Sequence, residues 1–86
     1  MSINILSQDG TILVNYSNVA SLFVIKQEYG RPSALSVLWE IKAKYPAVSG
    51  ITMYDTLARF KNEEDCRKAF AELMNGIYFE NAIIKL

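Results

Sequence analysis

The sequence predicts an α+β domain in which an antiparallel β-meander of about five strands is followed by one amphipathic helix. Two observations predict it: up to residue 60, short β-branched or alternating apolar segments are separated by turn residues, and after residue 62 apolar side chains recur every three or four residues. The length of 86 residues suits one domain and not two. We therefore predict one domain over residues 1–86, with strands within 1–60, the helix at about 62–76 and an apolar tail at 77–86.

The predicted strands are separated by residues that favour turns. Residues 3–6 and 11–16 are predicted to form a hairpin around Asp9-Gly10, a pair typical of tight turns. Residues 20–27 carry apolar side chains on both faces, which is typical of a central strand. Residues 34–44 alternate most clearly, and their predicted inward set is Leu35, Val37, Trp39, Ile41 and Ala43. The alternation slips within residues 51–60, which indicates a bulge near Asp55-Thr56.

The predicted helix has clear signals at its start. Asn62 is a favourable N-cap, and three acidic residues then place negative charge on the first turn. Gly76 is the expected C-cap. The apolar stripe that should pack on one sheet face consists of Cys66, Ala69, Phe70, Leu73 and Ile77. The tail after Gly76 is either a sixth strand or a bent continuation of the helix.

Composition excludes several classes of partner and compartment. Nine basic and nine acidic residues give no net charge, which disfavours nucleic acid or an anionic membrane bound by bulk charge. No apolar run is long enough to cross a membrane, and the N-terminus does not read as a signal peptide. The single cysteine permits no internal disulfide and favours a cytoplasmic location.

The residue types that usually carry catalysis are sparse, so we expect no enzyme activity. Histidine is absent, and Cys66 lies on the apolar stripe as a buried hydrophobe. Glu40 and Asp55 lie on neighbouring predicted strands and can face each other, with Lys42 and Arg59 near enough to pair. We interpret this set as a solvated charge ladder on the outer sheet face. Neither a phosphate-binding loop nor metal-ligand spacing is present, so no cofactor is expected.

The chain resembles short proteins of Gram-positive bacteria, their phages and their mobile elements, for which we know no activity. The resemblance lies in residues 8–15, in Asn18-Val19, and in residues 60–65, where a strand leads into an acidic helix start. It implies a meander with a terminal helix, and it implies no functional residue. A helix after a meander is also similar to a truncated pleckstrin-homology-like sheet, which is an analogy of fold alone.

Three functions are compatible with these residues. We favour a small non-enzymatic protein-interaction or accessory module that is associated with a phage or mobile element. The alternatives are an unrecognised enzyme and a weak nucleic-acid binder that uses a basic strand face with tyrosines for stacking. The side chains of that basic face would be Lys26, Arg31, Lys42, Lys44, Arg59 and Lys61, with Tyr29, Tyr45 and Tyr54.

We also expect a homodimer or a higher assembly. A domain of this size has few places to bury the apolar tail in addition to the helix stripe. The alternative is that the tail folds back and fills its own core. The candidate interface consists of Leu38, Ile77, Tyr78, Phe79, Ile83, Ile84 and Leu86.

Overall fold

The computed structural model describes residues 2–86. Six strands, one short 3-10 helix and one α-helix follow each other along the chain. The elements are β1 (Asn4–Leu6), β2 (Leu13–Asn15), the 3-10 turn Tyr16–Asn18, β3 (Ser21–Arg31), β4 (Ala34–Lys44), β5 (Tyr54–Phe60), α1 (Glu63–Tyr78) and β6 (Ile83–Lys85). The predicted α+β class is confirmed, and so is the helix packed against a sheet.

The strands divide between two three-stranded sheets, where the sequence suggested one continuous meander. The larger sheet has the antiparallel order β3-β4-β5, and the smaller has the order β2-β1-β6. In the smaller sheet, β1 is antiparallel to β2 and parallel to β6. The tail is therefore a sixth strand, added to its own chain next to β1.

A β-bulge lies where the sequence pattern slips. Ile41 pairs with Ala58 and Lys42 pairs with Thr56, so Leu57 is the extra residue of β5. The predicted bulge is confirmed, one residue further along. Because of it, both Leu57 and Ala58 are buried. The Leu57 carbonyl oxygen accepts a hydrogen bond of 2.8 Å from the Gln8 backbone, which joins the two sheets.

The core lies between the helix and the inner faces of the two sheets. It contains Ile5 and Val14 from the small sheet, Ile41 and Ala43 from β4, Leu57 and Ala58 from β5, Cys66 and Leu73 from the helix, and Ile84 from β6. Asn62 caps the helix as predicted, with its side-chain oxygen accepting from the Asp65 N–H at 2.8 Å. The predicted stripe faces this core, with Cys66 and Leu73 fully buried.

The helix continues two residues beyond Gly76, so the expectation of a C-cap there is wrong. Gly76 is buried inside the last turns, and a Cβ at this position would lie 2.8 Å from Ile84 Cδ1. The helix ends in a Schellman motif, with Glu80 N–H donating to the Ile77 carbonyl at 3.0 Å and Asn81 N–H donating to the Gly76 carbonyl at 2.9 Å. The glycine is thus used for close packing, and Glu80 takes the left-handed position with φ 54°.

The β3–β4 hairpin extends beyond the core as an arm. Leu35 and Val37 lie on the same face as Ile41 but are 50% and 38% exposed, so their predicted place in the core is wrong. Trp39 is half-buried and packs against the edge of the core. The strands are eleven residues long, and the helix covers only the half nearer to Ile41.

Candidate functional site

One face of the large sheet is covered by the helix and the small sheet, and the other has no element packed on it among residues 2–86. We call the second the outer sheet face. Its central row is on β4 and includes Leu38, Glu40, Lys42 and Lys44. The flanking rows follow from the strand register: Phe23, Ile25, Gln27 and Tyr29 on β3, and Tyr54, Thr56 and Arg59 on β5.

A buried carboxylate lies at the centre of this face. The Glu40 side chain has no exposed area, although it points away from the core. Its Oε2 accepts hydrogen bonds from the Tyr29 hydroxyl at 2.6 Å and from Arg59 Nε at 2.8 Å. Its Oε1 lies 3.8 Å from Lys42 Nζ and has no hydrogen-bond partner in the described part of the chain. Glu40 therefore links a tyrosine of β3 to an arginine of β5 across the central strand.

This arrangement replaces the predicted charge ladder. Arg59 is the direct cross-strand neighbour of Glu40, whereas Asp55 pairs with Ala43 and belongs to the opposite face. Glu40 and Asp55 do not face each other, because the bulge at Leu57 and the alternation of β5 separate them. Asp55 accepts a hydrogen bond of 2.7 Å from the Tyr45 hydroxyl instead.

The pKa values of the tyrosine and arginine side chains that bond to Glu40 and Asp55 are raised above their ordinary values. The hydrogen bond to Glu40 raises the pKa of Tyr29, and the same carboxylate raises the pKa of Arg59. Burial, together with the hydrogen bond to Asp55, raises the pKa of Tyr45 to about 12. Each shift favours the protonated form, so both tyrosines stay neutral and Arg59 stays charged near neutral pH.

A depression opens on the outer sheet face beside Glu40. It has a volume of about 290 Å³ and is lined by Phe23, Ile25, Gln27, Lys42 and Tyr54. The rings of Phe23 and Tyr54 meet edge to face, with their centroids 6.1 Å apart. Because these rings come from the two strands that flank β4, only the folded sheet brings them together.

Charge is unevenly distributed over the molecule despite its net neutrality. Strand alternation places Arg31, Lys42, Lys44 and Arg59 on the outer sheet face, where Glu40 is the only acidic side chain among residues 2–86. The other eight acidic residues lie elsewhere, five of them at positions 63, 64, 65, 72 and 80 in or just after the helix. The outer sheet face is therefore cationic, a property that the composition alone hides.

The residues of the predicted interface lie in three different places. Ile84 is buried in the core, and Ile77 and Leu86 are half-buried against it. Tyr78, Phe79 and Ile83 point outward, with 80%, 71% and 67% of their area exposed. Leu38 is half-buried on the outer sheet face, away from the tail. The tail thus fills its own core and also presents three apolar side chains to solvent.

A second exposed apolar group lies in the β4–β5 connection, and sequence reasoning passed over it. Ser49 and Gly50 both have positive φ, 53° and 78°, and form a two-residue turn closed by the Val48–Ile51 bridge. Val48, Ile51 and Met53 are exposed around this turn. The Ser-Gly pair between two β-branched residues was the available signal for this small hairpin.

Two other features with catalytic potential are a buried thiol and a second depression. Cys66 is a buried free thiol, and burial raises the pKa of that thiol, which leaves it protonated at neutral pH. A shallow depression of about 160 Å³ lies against the bulge and is lined partly by Gln8, Asp9 and Arg59. In the described residues, no three His, Cys, Asp or Glu side chains are grouped to hold a metal ion.

Comparison with known proteins gives no match. No family model, no curated protein and no solved structure is significantly similar to this chain. The resemblance to short proteins of Gram-positive bacteria and their phages stays a prediction. From residue 2 to residue 86, no helix is both long enough and apolar enough to cross a membrane.

Proposed function

We propose that this chain is a small cytoplasmic, non-enzymatic interaction module that forms a homodimer through its C-terminal end. The observation that carries this proposal is the exposure of Tyr78, Phe79 and Ile83, each at least two thirds accessible in a domain of only 86 residues. We call these three side chains the C-terminal apolar surface. A role as an accessory factor of a phage or mobile element agrees with the resemblance described above.

The local backbone explains why these side chains point outward. The Schellman motif at Glu80 reverses the chain, so that β6 returns along β1 while the last helical residues stay outside. Tyr78 and Phe79 pack edge to face against each other, with their centroids 5.1 Å apart. Two mutually packed aromatic rings form a rigid contact surface that loses little side-chain entropy on binding.

The edge of the small sheet favours a second copy as the partner. β6 is the outer strand in the order β2-β1-β6, and among residues 2–86 its second edge has no strand paired to it. A second copy can add its own β6 to that edge, in a self-complementary contact of the kind that two-fold dimers use. Ile83 lies on this strand, so edge pairing would bring its exposed side chain to the interface.

The experiment compares the mass of the wild-type chain with that of a surface variant by light scattering after size exclusion. The variant is Tyr78→Ser/Phe79→Ser/Ile83→Thr, in which threonine keeps the strand preference at position 83. We expect the wild type to be a dimer and the variant to be a monomer with an unchanged circular dichroism spectrum. A matched control, Val48→Ser/Ile51→Thr, removes equally exposed apolar groups from the β4–β5 turn and should remain dimeric.

A wild-type chain that is monomeric at high concentration would refute the dimer, and so would a variant that stays dimeric. Deletion of residues 77–86 is a poor substitute, because it also removes Ile84 from the core and the β1–β6 pairing. Point substitutions at the exposed positions keep that core intact. They therefore separate loss of association from loss of folding.

A further inference from the structure

We propose that the outer sheet face binds single-stranded nucleic acid, with bases stacked on its aromatic side chains and phosphates held by its cations. This goes beyond the dimerisation proposed above and uses a different surface. It starts from the charge distribution: four basic side chains share one sheet face with a single acidic residue, and that residue is buried and bonded to Arg59. A face of this kind is complementary to an anionic partner.

Aromatic side chains lie where such a partner would need them. Tyr54 is half-exposed and touches Phe23 across the central strand, next to Lys42 and Lys44 in the register. Unpaired bases stack on exposed aromatic rings of a sheet, and neighbouring cations follow the backbone. The depression between these rings also contains Gln27, whose amide can both donate to and accept from the edge of a base.

The buried carboxylate positions the cationic side of this face. Glu40 Oε2 holds Arg59 through Nε, while more than half of the arginine side chain stays exposed. A guanidinium fixed in this way has less conformational entropy to lose when it meets a phosphate. Glu40 is thus a positioning residue, and Arg59 is the group that contacts the ligand.

Other occupants fit this face less well. A second copy stacked face to face would oppose two faces that each carry four basic side chains and one acidic side chain, which is repulsive. Duplex DNA offers no unstacked bases to Phe23 and Tyr54, because its bases are paired and enclosed. An acidic peptide would satisfy the cations but would leave the aromatic depression without a planar partner. Single-stranded nucleic acid alone uses the rings and the cations together.

The test measures binding of a fluorescently labelled oligothymidylate and an oligouridylate by anisotropy across a salt titration. We expect binding at low salt that weakens with a slope of about −2 in log–log form, since Lys42, Lys44 and Arg59, the cations nearest to the two rings in the register, can each contact one phosphate at about −0.7 per contact. Tyr54→Ser should weaken binding about tenfold, the effect of losing one stacked base. The matched control Tyr16→Ser changes an exposed tyrosine outside this face and should leave binding unchanged.

Charge reversal tests the electrostatic half of the proposal. Lys44→Glu should abolish binding at moderate salt, whereas Lys26→Glu changes the net charge equally on the opposite face of the sheet and should leave most binding intact. Absence of binding at low salt would overturn the proposal. Equal binding of polyglutamate or of duplex DNA would overturn it as well, in favour of an acidic peptide or of bulk charge. The C-terminal surface variant keeps this whole face, so dimerisation and nucleic-acid binding can fail independently.

Discussion

Asp9 is a single exposed side chain with an unusually dense set of hydrogen bonds. Its Oδ1 accepts from the Ser7 hydroxyl at 2.7 Å, from the Thr11 hydroxyl at 2.7 Å and from the Thr11 backbone N–H at 3.0 Å. These donors stabilise the charged form and lower the pKa of Asp9 from 3.8 to about 2. The carboxylate therefore stabilises the turn between β1 and β2 most strongly while it is ionised.

Asp9→Asn should make stability less dependent on acidic pH. The pKa is lower in the folded state, so ionised Asp9 contributes stability above pH 3.8 and loses it as the pH falls towards about 2. Asparagine keeps an acceptor oxygen but does not titrate. Urea unfolding at several pH values should therefore show a smaller loss of stability over this interval in the variant than in the wild type.

The control for this measurement is Glu72→Gln, which removes one carboxylate from the exposed side of the helix and leaves the turn unchanged. If stability falls equally with acidic pH in the Asp9→Asn variant and in the wild type, Asp9 is not the group whose ionisation stabilises the turn. The Asp-Gly turn itself was predictable from local residues. The threefold hydrogen bonding was not, because it depends on how the turn bends Ser7 and Thr11 towards one oxygen.

At the scale of the element, the helix packs closely against β6. Gly76 lies directly under Ile84, and a Cβ there would be 2.8 Å from Cδ1 and 2.9 Å from Cγ1 of that side chain. Ile84 is buried and also paired to β1, so it has little room to move. The glycine is required by the packing and not by its backbone dihedral.

Gly76→Ala should lower the free energy of unfolding, although alanine is the better helix former. Alanine gains about 1 kcal/mol in helix propensity. Overpacking against Ile84 costs about 1–3 kcal/mol, so we expect a net loss of about 1 kcal/mol. Urea unfolding measures this difference.

Asn75→Ala is the matched control, since it lies one residue earlier on the exposed side of the same helix. It should be neutral or slightly stabilising because it gains propensity without meeting Ile84. A change of the same sign in the free energy of unfolding at both positions would show that overpacking against Ile84 does not determine the effect of Gly76→Ala. Ile84→Val removes Cδ1 and should reduce the cost of the Gly76→Ala change.

Helix and strand types were largely predictable, whereas the end of the helix was not. Asn62 and the acidic first turn specify where the helix begins through local hydrogen bonds and charge. Gly76 was predicted as the C-cap because glycine is common just after the end of a helix. In the structure its missing side chain instead leaves room for Ile84 to pack against the helix. Glu80, which carries no sequence signal for left-handed backbone, ends the helix.

At the scale of the whole molecule, the chain is elongated. Its principal extents are 48 × 34 × 19 Å, and its radius of gyration is 13.8 Å, whereas a compact domain of this length would have about 12 Å. The difference comes from the β3–β4 arm, which places Leu35 and Val37 beyond the helix. Stability is therefore concentrated in the part of the hairpin nearer to Ile41.

Two substitutions on one face of β4 should differ in their effect on unfolding. Ile41→Ala removes a fully buried side chain and should lower the free energy of unfolding by about 3 kcal/mol. Val37→Ala lies four residues earlier on the same face and should cost less than about 1 kcal/mol. Urea denaturation of both variants checks this. A similar loss at both positions would mean that the arm belongs to the folding core.

Local sequence determined the α+β class, the helix start, most strands and the need for a bulge. These features depend on side-chain periodicity, caps and turn residues, all of which act within a few positions. Only the tertiary structure decided that the tail pairs in parallel with β1, that Glu40 is buried beneath Tyr29 and Arg59, and that four cations share one face. The physical reason is that strand register and the bulge at Leu57 set these positions, and register depends on contacts between residues far apart in the chain.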